Sequence, residues 1–529
     1  MKEFKSLKKE QKLCNSLREK DLIFWRKFRG KVVVNYYQLI IFLQLILNIR
    51  KISFKGVDGY SFAVIEDNCI RLIEIADISK LIVEYFERNF DKANGVVDVN
   101  DVLGAVVENS YKFYTKNIES FFKIETIELK IDSEECCHLQ FENTLVEITR
   151  LGISQIKKTD FGSPLLHNRL IKRDFQKLSD IEKGDFYQFA WNLAGQNEER
   201  FLVLITTLGY LVHDYKDPVN PKIVVLIDQV TGDNQTSNGG TGKSLLLKAL
   251  SHVINVVELG GKRLQSSHRF AFQKVKIFTQ LVLINDASKK ENLDNYFNLS
   301  TDSFEIEEKY KPTVSLPFEY SPKIATTTNH YLNRSEGNST ERRLHEIEVS
   351  PYYGKHLTPQ AEFGHNFFTD WNDEQWLLFD NFIVHCVHTY LSQGLVEPVN
   401  INLEERKLYA EVGLELVEFL DEKIEQGVQR FHKADLYEEF RKGGYTQPKY
   451  VPRRNNFTHK VKKYLDSKNI AFTETPANTK KYIELSSGDS KQSQPIQTIA
   501  DVDTQYKIVD TPNKLTRFIN NINKEDEKE

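Results

Sequence analysis

The sequence predicts an α/β protein with a central parallel sheet, whose first strand leads into a phosphate-binding loop. Three short runs predict buried strands, and the first of them is continuously apolar and rich in β-branched residues, which is typical of strands buried on both faces of a parallel sheet. These runs are Lys222–Asp228, Gln280–Ser288 and Pro322–His330. A glycine-rich loop and then a helical pattern follow the first run, and this order of elements builds phosphate sites.

The composition limits the size and class of the protein. A length of 529 residues predicts roughly three or four domains. Lys and Arg total 71 against 75 Asp and Glu, so the net charge of -4 excludes a uniformly basic coat for nucleic acid. The five cysteines are odd in number and form no C-x-x-C pair, which argues against a disulfide framework or a zinc finger. A reducing cytoplasm fits this cysteine usage best.

Residues 1–150 mix helical and strand-like patterns and predict an α+β domain of unclear role. The first residues, MKEFKSLKKEQK, do not have the pattern of a signal peptide. The segment from Val32 to Ile49 is apolar and about as long as a membrane span, but four amide side chains interrupt it. We therefore expect a buried helix there and no membrane partner.

Two polar clusters in this region have the residue types of metal sites. The run Cys136–Cys137–His138 favours packing over metal binding, because neighbouring cysteines rarely point at one ion. The group Asp98, Asn100 and Asp101 favours a solvated turn over the paired-carboxylate metal site of a primase, because no histidine or third acid follows at a suitable spacing.

Residues 151–220 predict a helical region that connects domains or supports oligomerisation. Large apolar residues recur at spacings of three and four in FYQFAWNLAG and in EERFLVLITTLGYLVHDY. The second helix should end at Asp217 and Pro218, where turn-forming residues begin.

The glycine-rich loop reads SNGGTGKS from Ser237 to Ser244 and matches G-x-x-x-x-G-K-[ST] except at its first glycine. In such a loop, backbone N–H groups surround a phosphate, the lysine bridges phosphates and the serine holds Mg²⁺. The sequence thus predicts binding of ATP and Mg²⁺ by an ATPase domain spanning 221–400. The candidate binding residues are Gly239, Gly240, Thr241, Gly242, Lys243, Ser244 and Leu245.

Polar residues follow the next two buried runs. Asn285 and Asp286 stand where phosphate-loop ATPases usually have two acids, and Asp286 is the candidate for binding metal, polarising water, or both. Asn329 ends the third run and is a candidate sensor of the γ-phosphate. Arg342 and Arg343 precede a further strand, from which they could reach the ATP of a neighbouring subunit.

The order and short spacing of these residues resemble a superfamily 3 helicase, a compact AAA+ class of viral and mobile-element replication ATPases. Within that class the chain is most similar to phage and plasmid primase-helicases of the poxvirus type. The phrases TTLGYLVHDYKDP, SPKIATTTNHYL and EFGHNFFTDWNDEQW carry this resemblance, which covers residues of about 140–400. The first 130 or so residues add little to it, so the resemblance concerns the helicase part and not priming.

The resemblance implies an ATP-dependent replicative DNA helicase of a phage or mobile element. It implies a homo-hexameric ring on single-stranded and forked DNA in the host cytoplasm, with primase, polymerase or single-strand-binding protein as further partners. It gives Lys243 and Ser244 the phosphate and Mg²⁺ roles, Asp286 the acid, Asn329 the sensor, and Arg343, with Arg342 as its substitute, the arginine finger. The segment FEIEEKYKPTVSLPFEYSPK is similar to a β-hairpin that carries Lys309 and Lys311 onto DNA.

Two other functions fit part of the same pattern. An AAA+ ATPase that remodels protein or packages DNA would share the ATP site but would not need the hairpin lysines. A replication initiator or scaffold would bind ATP without hydrolysing it, and Asn285 in place of an acid is compatible with that function.

Residues 405–485 predict a basic winged-helix domain of three helices and a β-hairpin. Positive charges exceed negative charges between residues 430 and 482, which favours contact with DNA. The candidate contacts lie along one predicted helix and are Arg453, Arg454, Lys460, Lys462 and Lys463. Residues 486–529 are rich in Ser, Gln, Asp and Lys and predict a disordered tail.

Overall fold

The computed structural model describes residues 23–89, 98–108, 119–229, 240–309, 313–335, 337–443, 451–477 and 480–485. The chain forms two compact units, Met1–Ala410 and Glu411–Glu529. The predicted disordered tail, residues 486–529, lies outside the described residues.

The N-terminal part combines helices with antiparallel and mixed sheets, as an α+β region should. Its strands are β1 (Trp25–Phe28), β2 (Lys31–Val34), β3 (Ile49–Phe54), β4 (Ser61–Glu66), β5 (Cys69–Ile73) and β6 (Ile124–Ile127). Its helices are α1 (Tyr36–Leu45), α2 (Asp77–Arg88) and α3 (Val99–Glu108). Strands β1 and β2 form a hairpin, and the others belong to a five-stranded sheet of order β10-β5-β4-β3-β6, in which β10 is Leu165–Leu166.

The apolar segment from Val32 to Ile49 is not the single buried helix that the sequence predicts. It contains the end of β2, the ten-residue helix α1 and the first residue of β3. Asn35 separates the first two elements, and its side chain accepts the N–H of Gln38 as a helix cap. Among the described residues, no helix has both the length and the apolar character required to cross a membrane.

The group at residues 98–101 is a helix start. The Asp98 carboxylate accepts the backbone N–H of Asn100 at 2.9 Å, directly before α3. Asp98, Asn100 and Asp101 are all exposed. The three side chains are therefore solvated, as the sequence predicts, but they begin a helix and do not form a turn.

The region predicted to be helical, 151–220, begins with strands. A three-stranded antiparallel sheet crosses residue 150 and consists of β7 (Cys136–Gln140), β8 (Leu145–Thr149) and β9 (Gly152–Ile156). The two predicted helices follow as α4 (Asp185–Leu193) and α5 (Glu198–Val212). Helical periodicity was thus informative only from about residue 185 onward.

A five-stranded parallel sheet forms the centre of the larger unit and confirms the predicted α/β class. Its order is β12-β13-β16-β11-β17. The strands are β11 (Ile223–Asp228), β12 (Val256–Gly260), β13 (Leu281–Ala287), β16 (Lys323–Thr328) and β17 (Leu344–Val349). Every residue of β11, β16 and β17 is buried, and this explains the continuous apolar pattern of β11.

The central sheet shares a hydrophobic core with the N-terminal sheet. Ile52 and Phe54 of β3 belong to the same buried cluster as Val225 of β11 and Ile284 of β13. The N-terminal strands therefore pack as part of the same unit as the central sheet.

Further helices lie between and after the strands of the central sheet along the chain. They are α6 (Lys243–Ala249), α7 (Asp294–Thr301), α8 (Asn338–Arg343), α9 (Pro359–Phe363), α10 (Asp373–Gln393) and α11 (Leu403–Val412). Helices α5 and α10 approach very closely at Gly209, where an added Cβ would lie 2.2 Å from the carbonyl oxygen of Cys386. Only glycine allows this packing, since real Cβ contacts are never so short.

The predicted hairpin between the second and third buried runs is confirmed. Strands β14 (Phe304–Ile306) and β15 (Val314–Leu316) pair antiparallel, with Phe304 opposite Leu316 and Ile306 opposite Val314. Lys309 follows β14 and is exposed, whereas Lys311 lies outside the described residues.

A buried histidine on β17 should make the larger unit sensitive to acid. His345 bonds through Nε2 to the Thr207 hydroxyl at 2.8 Å, while its Nδ1 is buried with no hydrogen-bond partner among the described residues. Burial, together with the charge of Lys222, lowers the pKa of His345 to about 3.

Because an unfolded histidine titrates near pH 6.5, His345 should favour the folded state fully above that pH and progressively less below it. Between pH 6.5 and 5 we expect about 2 kcal/mol of stability to be lost at this group. Thermal unfolding across this range should show a smaller acid decline in His345→Gln than in wild type, with exposed His356→Gln as the control. Equal declines in all three proteins would refute this prediction.

The smaller unit contains the three helices and the hairpin that the sequence predicts. The helices are α12 (Leu414–Glu425), α13 (Lys433–Lys442) and α14 (Arg454–Ser467). Strands β19 (Phe472–Ala477) and β20 (Lys480–Leu485) form the hairpin, and the short strand β18 (Arg430–His432) pairs with β20. This third strand has only three residues, which is too few for a recognisable alternating pattern.

Candidate functional site

The described end of the glycine-rich loop needs glycine for two reasons. Gly242 has φ 97, in the left-handed region, and directly precedes α6. A Cβ there would lie 3.0 Å from the Phe189 ring and 3.1 Å from Leu193. Gly240 has φ 113 and is also left-handed. Candidate Gly239 lies outside the described residues, as does Ser237.

Lys243 is the central cation of the site. Its ammonium donates hydrogen bonds to the carboxylate of Asp228, to Thr241 Oγ1 at 3.1 Å and to Asn329 Oδ1 at 3.0 Å. The structure therefore brings together Lys243, Thr241 and Asn329 from the loop and the end of β16. Leu245, on the next turn, is half-buried.

Asp228 is a member of the site that the sequence analysis did not identify. It ends β11, is 7% exposed, and also accepts the Thr241 hydroxyl at 2.6 Å. Burial lowers the pKa of Lys243, and Asp228 acts in the opposite direction. The position of Asp228 at the carboxyl end of the strand before the loop is a signal that could have identified it, because ligands bind at that edge.

Ser244 faces Asn285. The serine hydroxyl donates to Asn285 Oδ1 at 2.6 Å, and the same amide oxygen accepts Thr327 Oγ1 at 3.0 Å. The amide nitrogen of Asn285 donates to Glu258 Oε1 at 3.0 Å. Hydroxyl and amide oxygens are ligands that suit Mg²⁺, and a carboxylate lies directly behind them. The contact between Asn285 and Glu258 could not be predicted from the sequence, because Glu258 is on a separate strand, β12.

The side chain of Asp286 pairs with a lysine outside the glycine-rich loop. Asp286 has φ 58, and the pairing of β13 with β16 is irregular between Ile284 and Ala287. Its backbone N–H donates to Thr327 Oγ1 at 2.8 Å, while its carboxylate pairs with exposed Lys262 at 2.6 Å. This hydrogen bond raises the pKa of Lys262. The candidate acid therefore lies in β13, where its side chain pairs with Lys262, while the neighbouring Asn285 bonds to Ser244.

Arg342 and Arg343 end helix α8, immediately before β17. Strand β17 runs parallel to β11, with Leu344 opposite Ile223 and Val349 opposite Asp228. At about 3.3 Å per residue, the arginines lie roughly 15–20 Å along the strands from the carboxyl end of β11, where Asp228 lies. The Arg343 guanidinium lies 5.6 Å from the centre of the Phe297 ring.

Of the two hairpin lysines that are predicted to contact DNA, Lys309 is the one that the structure describes. Its ammonium lies 6.0 Å from the centre of the Phe270 ring, at the limit of a cation–π contact. Because Lys309 is exposed, a phosphate backbone could reach its charge.

The predicted DNA-contact cations of the smaller unit do lie on or beside one helix, α14. Most have intramolecular partners. Arg454 pairs with Glu438 at 3.0 Å, Lys463 with Glu411 at 3.0 Å, and Lys462 with Glu474. Lys460 donates to the Val412 carbonyl at 2.7 Å, and Arg453 is exposed at the helix start. These ion pairs reduce the positive charge that α14 offers to a ligand.

A family described as "Family of unknown function (DUF5906)" matches residues 235–343, from within the loop to Arg343. No curated protein matches the chain.

Several solved structures resemble the chain distantly. The A form apo structure of the NrS-1 C-terminal region has 12% sequence identity and a TM-score of 0.38, covering 84% of this chain and 98% of that one. Two further apo structures of this region have 11% identity, TM-scores of 0.39 and 0.36, and the same coverage. At such TM-scores the similarity establishes neither a shared fold nor a shared activity.

Proposed function

We propose that this protein is an ATP-dependent replicative DNA helicase of a phage or mobile element, which unwinds duplex DNA by moving along one strand. The observation that supports it best is the cluster of Lys243, Asn329 and Ser244 with Asn285 at the carboxyl edge of a parallel sheet. Ligands bind at this edge of open parallel sheets. As a replication protein it would act in the host cytoplasm, beside a primase, polymerase or single-strand-binding protein.

The residues present fit a nucleotide with Mg²⁺. Lys243 and the Thr241 hydroxyl are two donors that now share the Asp228 carboxylate. When ATP binds, Lys243 exchanges this carboxylate for phosphate oxygens. Ser244 Oγ and Asn285 Oδ1 would hold Mg²⁺, whose role is to neutralise charge on the phosphates.

Hydrolysis also needs a group that orients and polarises the attacking water. Asp286 is our candidate, since it follows Asn285 directly and is released by breaking one exposed ion pair with Lys262. Exposed ion pairs contribute roughly 0–1 kcal/mol, so this release is easy. Asn329 Oδ1 already accepts a hydrogen bond from Lys243, and the amide nitrogen of Asn329 would donate to the γ-phosphate as its sensor.

The position of Arg343 supports a ring. Arg343 lies at the amino ends of the strands, whereas the loop follows the carboxyl end of β11. It is therefore badly placed to serve the site of its own subunit. In a homo-hexamer, Arg343 of one subunit would complete the ATP site of the next, with Arg342 beside it.

The hairpin supplies the contact to DNA in this proposal. Replacing exposed Lys309 by alanine should abolish strand separation while ATP hydrolysis without DNA stays close to wild type. Since phosphate contacts release counterions, the variant should also show a weaker dependence of single-stranded DNA binding on salt. Both quantities are measured beside Lys355→Ala, another exposed lysine. Unwinding that survives in Lys309→Ala would contradict the role of the hairpin in the contact to DNA.

One observation favours the second candidate function, an initiator that binds ATP without turnover. An amide and not a carboxylate faces Ser244. Phosphate release by the full chain, with and without single-stranded DNA, separates the two functions. The helicase proposal expects steady release that DNA stimulates, whereas the initiator would bind ATP and release none.

A further inference from the structure

Three side chains of different metal-ligand types converge on the three-stranded sheet. Cys136 and His138 are two residues apart on β7 and so lie on one face of the strand. Glu147 of β8 is the cross-strand partner of His138. Cys137, which lies between them, is fully buried on the other face. The relevant pair is therefore Cys136 and His138, and not the two adjacent cysteines.

The distances match those between ligands of one ion. His138 Nε2 lies 3.6 Å from Cys136 Sγ and 3.3 Å from Glu147 Oε2. All three ligand atoms lie within 4.8 Å of one another. Zinc bonds of about 2.3 Å to sulfur and about 2.1 Å to nitrogen and oxygen, in tetrahedral geometry, separate sulfur from nitrogen by about 3.6 Å and nitrogen from oxygen by about 3.4 Å.

A buried carboxylate orients the histidine. Asp132 Oδ1 lies 3.1 Å from His138 Nδ1 and accepts the His138 backbone N–H at 2.9 Å. Its other oxygen accepts the backbone N–H of Asp214 at 3.0 Å. The side chains of Asp132 and His138 are each 8% exposed. A carboxylate on Nδ1 keeps the proton there and leaves the Nε2 lone pair for a metal, as in many zinc sites.

In that tautomer, the Nε2 lone pair faces the Glu147 carboxylate at 3.3 Å, which is unfavourable unless a positive charge lies between them. We propose that Cys136, His138 and Glu147 bind one divalent transition-metal ion of the zinc class, with Asp132 as the residue that orients His138. Three protein ligands leave the fourth position of a tetrahedral ion for water. The site is separate from the ATP site and does not depend on the proposed function.

Bound metal would stabilise this part of the fold. It would link β7 to β8, and through Asp132 it would hold the backbone at Asp214, which follows α5. Metal that binds the folded chain alone raises its thermal stability, so chelation should lower the unfolding temperature.

The alternative is a metal-free His138 that is protonated on both nitrogens and paired with Asp132 and Glu147. Zinc content and cobalt binding distinguish these states, because a cobalt–thiolate charge-transfer band requires Cys136 and does not depend on ATP. The full chain would be purified, dialysed and analysed by mass spectrometry, and then stripped of metal and titrated with Co²⁺.

We expect one equivalent of zinc in wild type and in Cys69→Ser, which removes a half-buried cysteine outside the cluster. Cys136→Ser should lose the charge-transfer band, Glu147→Gln should bind metal more weakly, and Asp132→Asn should weaken binding by about 10–100-fold. If Cys136→Ser does not fold, Glu147→Gln at the more exposed ligand decides. Wild type that holds no zinc and gives no band, or cluster variants that bind metal like wild type, would overturn the proposal.

Discussion

Replacing Arg343 by alanine is expected to slow ATP hydrolysis by about 10³-fold or more, because an arginine finger neutralises charge that develops only in the transition state. Binding of ATP should remain close to wild type, since Arg343 lies at the opposite edge of the sheet from Lys243 of the same subunit. The turnover number and the dissociation constant for ATP, measured separately, test both statements.

A mixing experiment tests whether Arg343 acts on a neighbouring subunit. Arg343→Ala lacks the finger and Lys243→Ala lacks the phosphate-binding cation, so each variant alone should be inactive. A mixed ring contains interfaces with an intact Lys243 on one side and an intact Arg343 on the other, and it should recover part of the activity. Arg342→Ala is the matched control and should lose far less activity than Arg343→Ala. No recovery on mixing, or a loss of ATP binding in Arg343→Ala, would contradict the role in trans.

Replacing Asp286 by asparagine is expected to reduce hydrolysis by about 10²–10⁴-fold, the usual contribution of a positioned acid–base group. Asparagine tolerates the left-handed backbone that Asp286 adopts at φ 58, so the fold of β13 should be preserved. Binding of ATP with Mg²⁺ should persist, because Ser244 and Asn285 are unchanged. Single-turnover hydrolysis, with ATP binding measured in parallel, checks this result.

Glu258 is the competing carboxylate, since it bonds to Asn285 at 3.0 Å. Glu258→Gln can keep a side-chain contact with Asn285 while removing the negative charge, and exposed Asp302→Asn serves as a control for charge alone. A large loss in Glu258→Gln with little effect of Asp286→Asn would transfer the role of the acid from β13 to β12.

The sequence predicted the fold best where burial is complete. The three predicted buried runs contain β11, β13 and β16, because strands covered on both faces do not alternate between apolar and solvent-facing polar residues. Helices α12 to α14 were also predicted, as the three helices of residues 405–485. Prediction failed from Val32 to Ile49. This apolar segment contains the end of β2, the half-buried helix α1 and the first residue of β3, and only Asn35 separates β2 from α1.

The candidate site was predictable in its residue types and less so in its contacts. The loop and the strand ends identified Lys243, Ser244 and Asn329 from local patterns. The position of Asp286 depends on an irregularity between two strands, and the contact of Glu258 with Asn285 depends on strand order. Cys136, His138 and Glu147 meet only through the pairing of β7 with β8, which adjacency in the sequence does not show.

The cations of α14 show the same limit. Net charge along the sequence favoured a surface for DNA, but Glu411, Glu438 and Glu474 lie within ion-pair distance of these cations. All three acids are on elements other than α14, so helix periodicity gave no sign of them.

Strand displacement on a forked DNA duplex, with ATP and Mg²⁺, tests the central proposal most directly. We expect the wild-type protein to separate the strands and Lys243→Ala to leave them paired, because Lys243 is the cation that would bind the phosphates. Wild-type protein that binds ATP and yet separates no strands under these conditions would contradict the helicase proposal and favour an initiator.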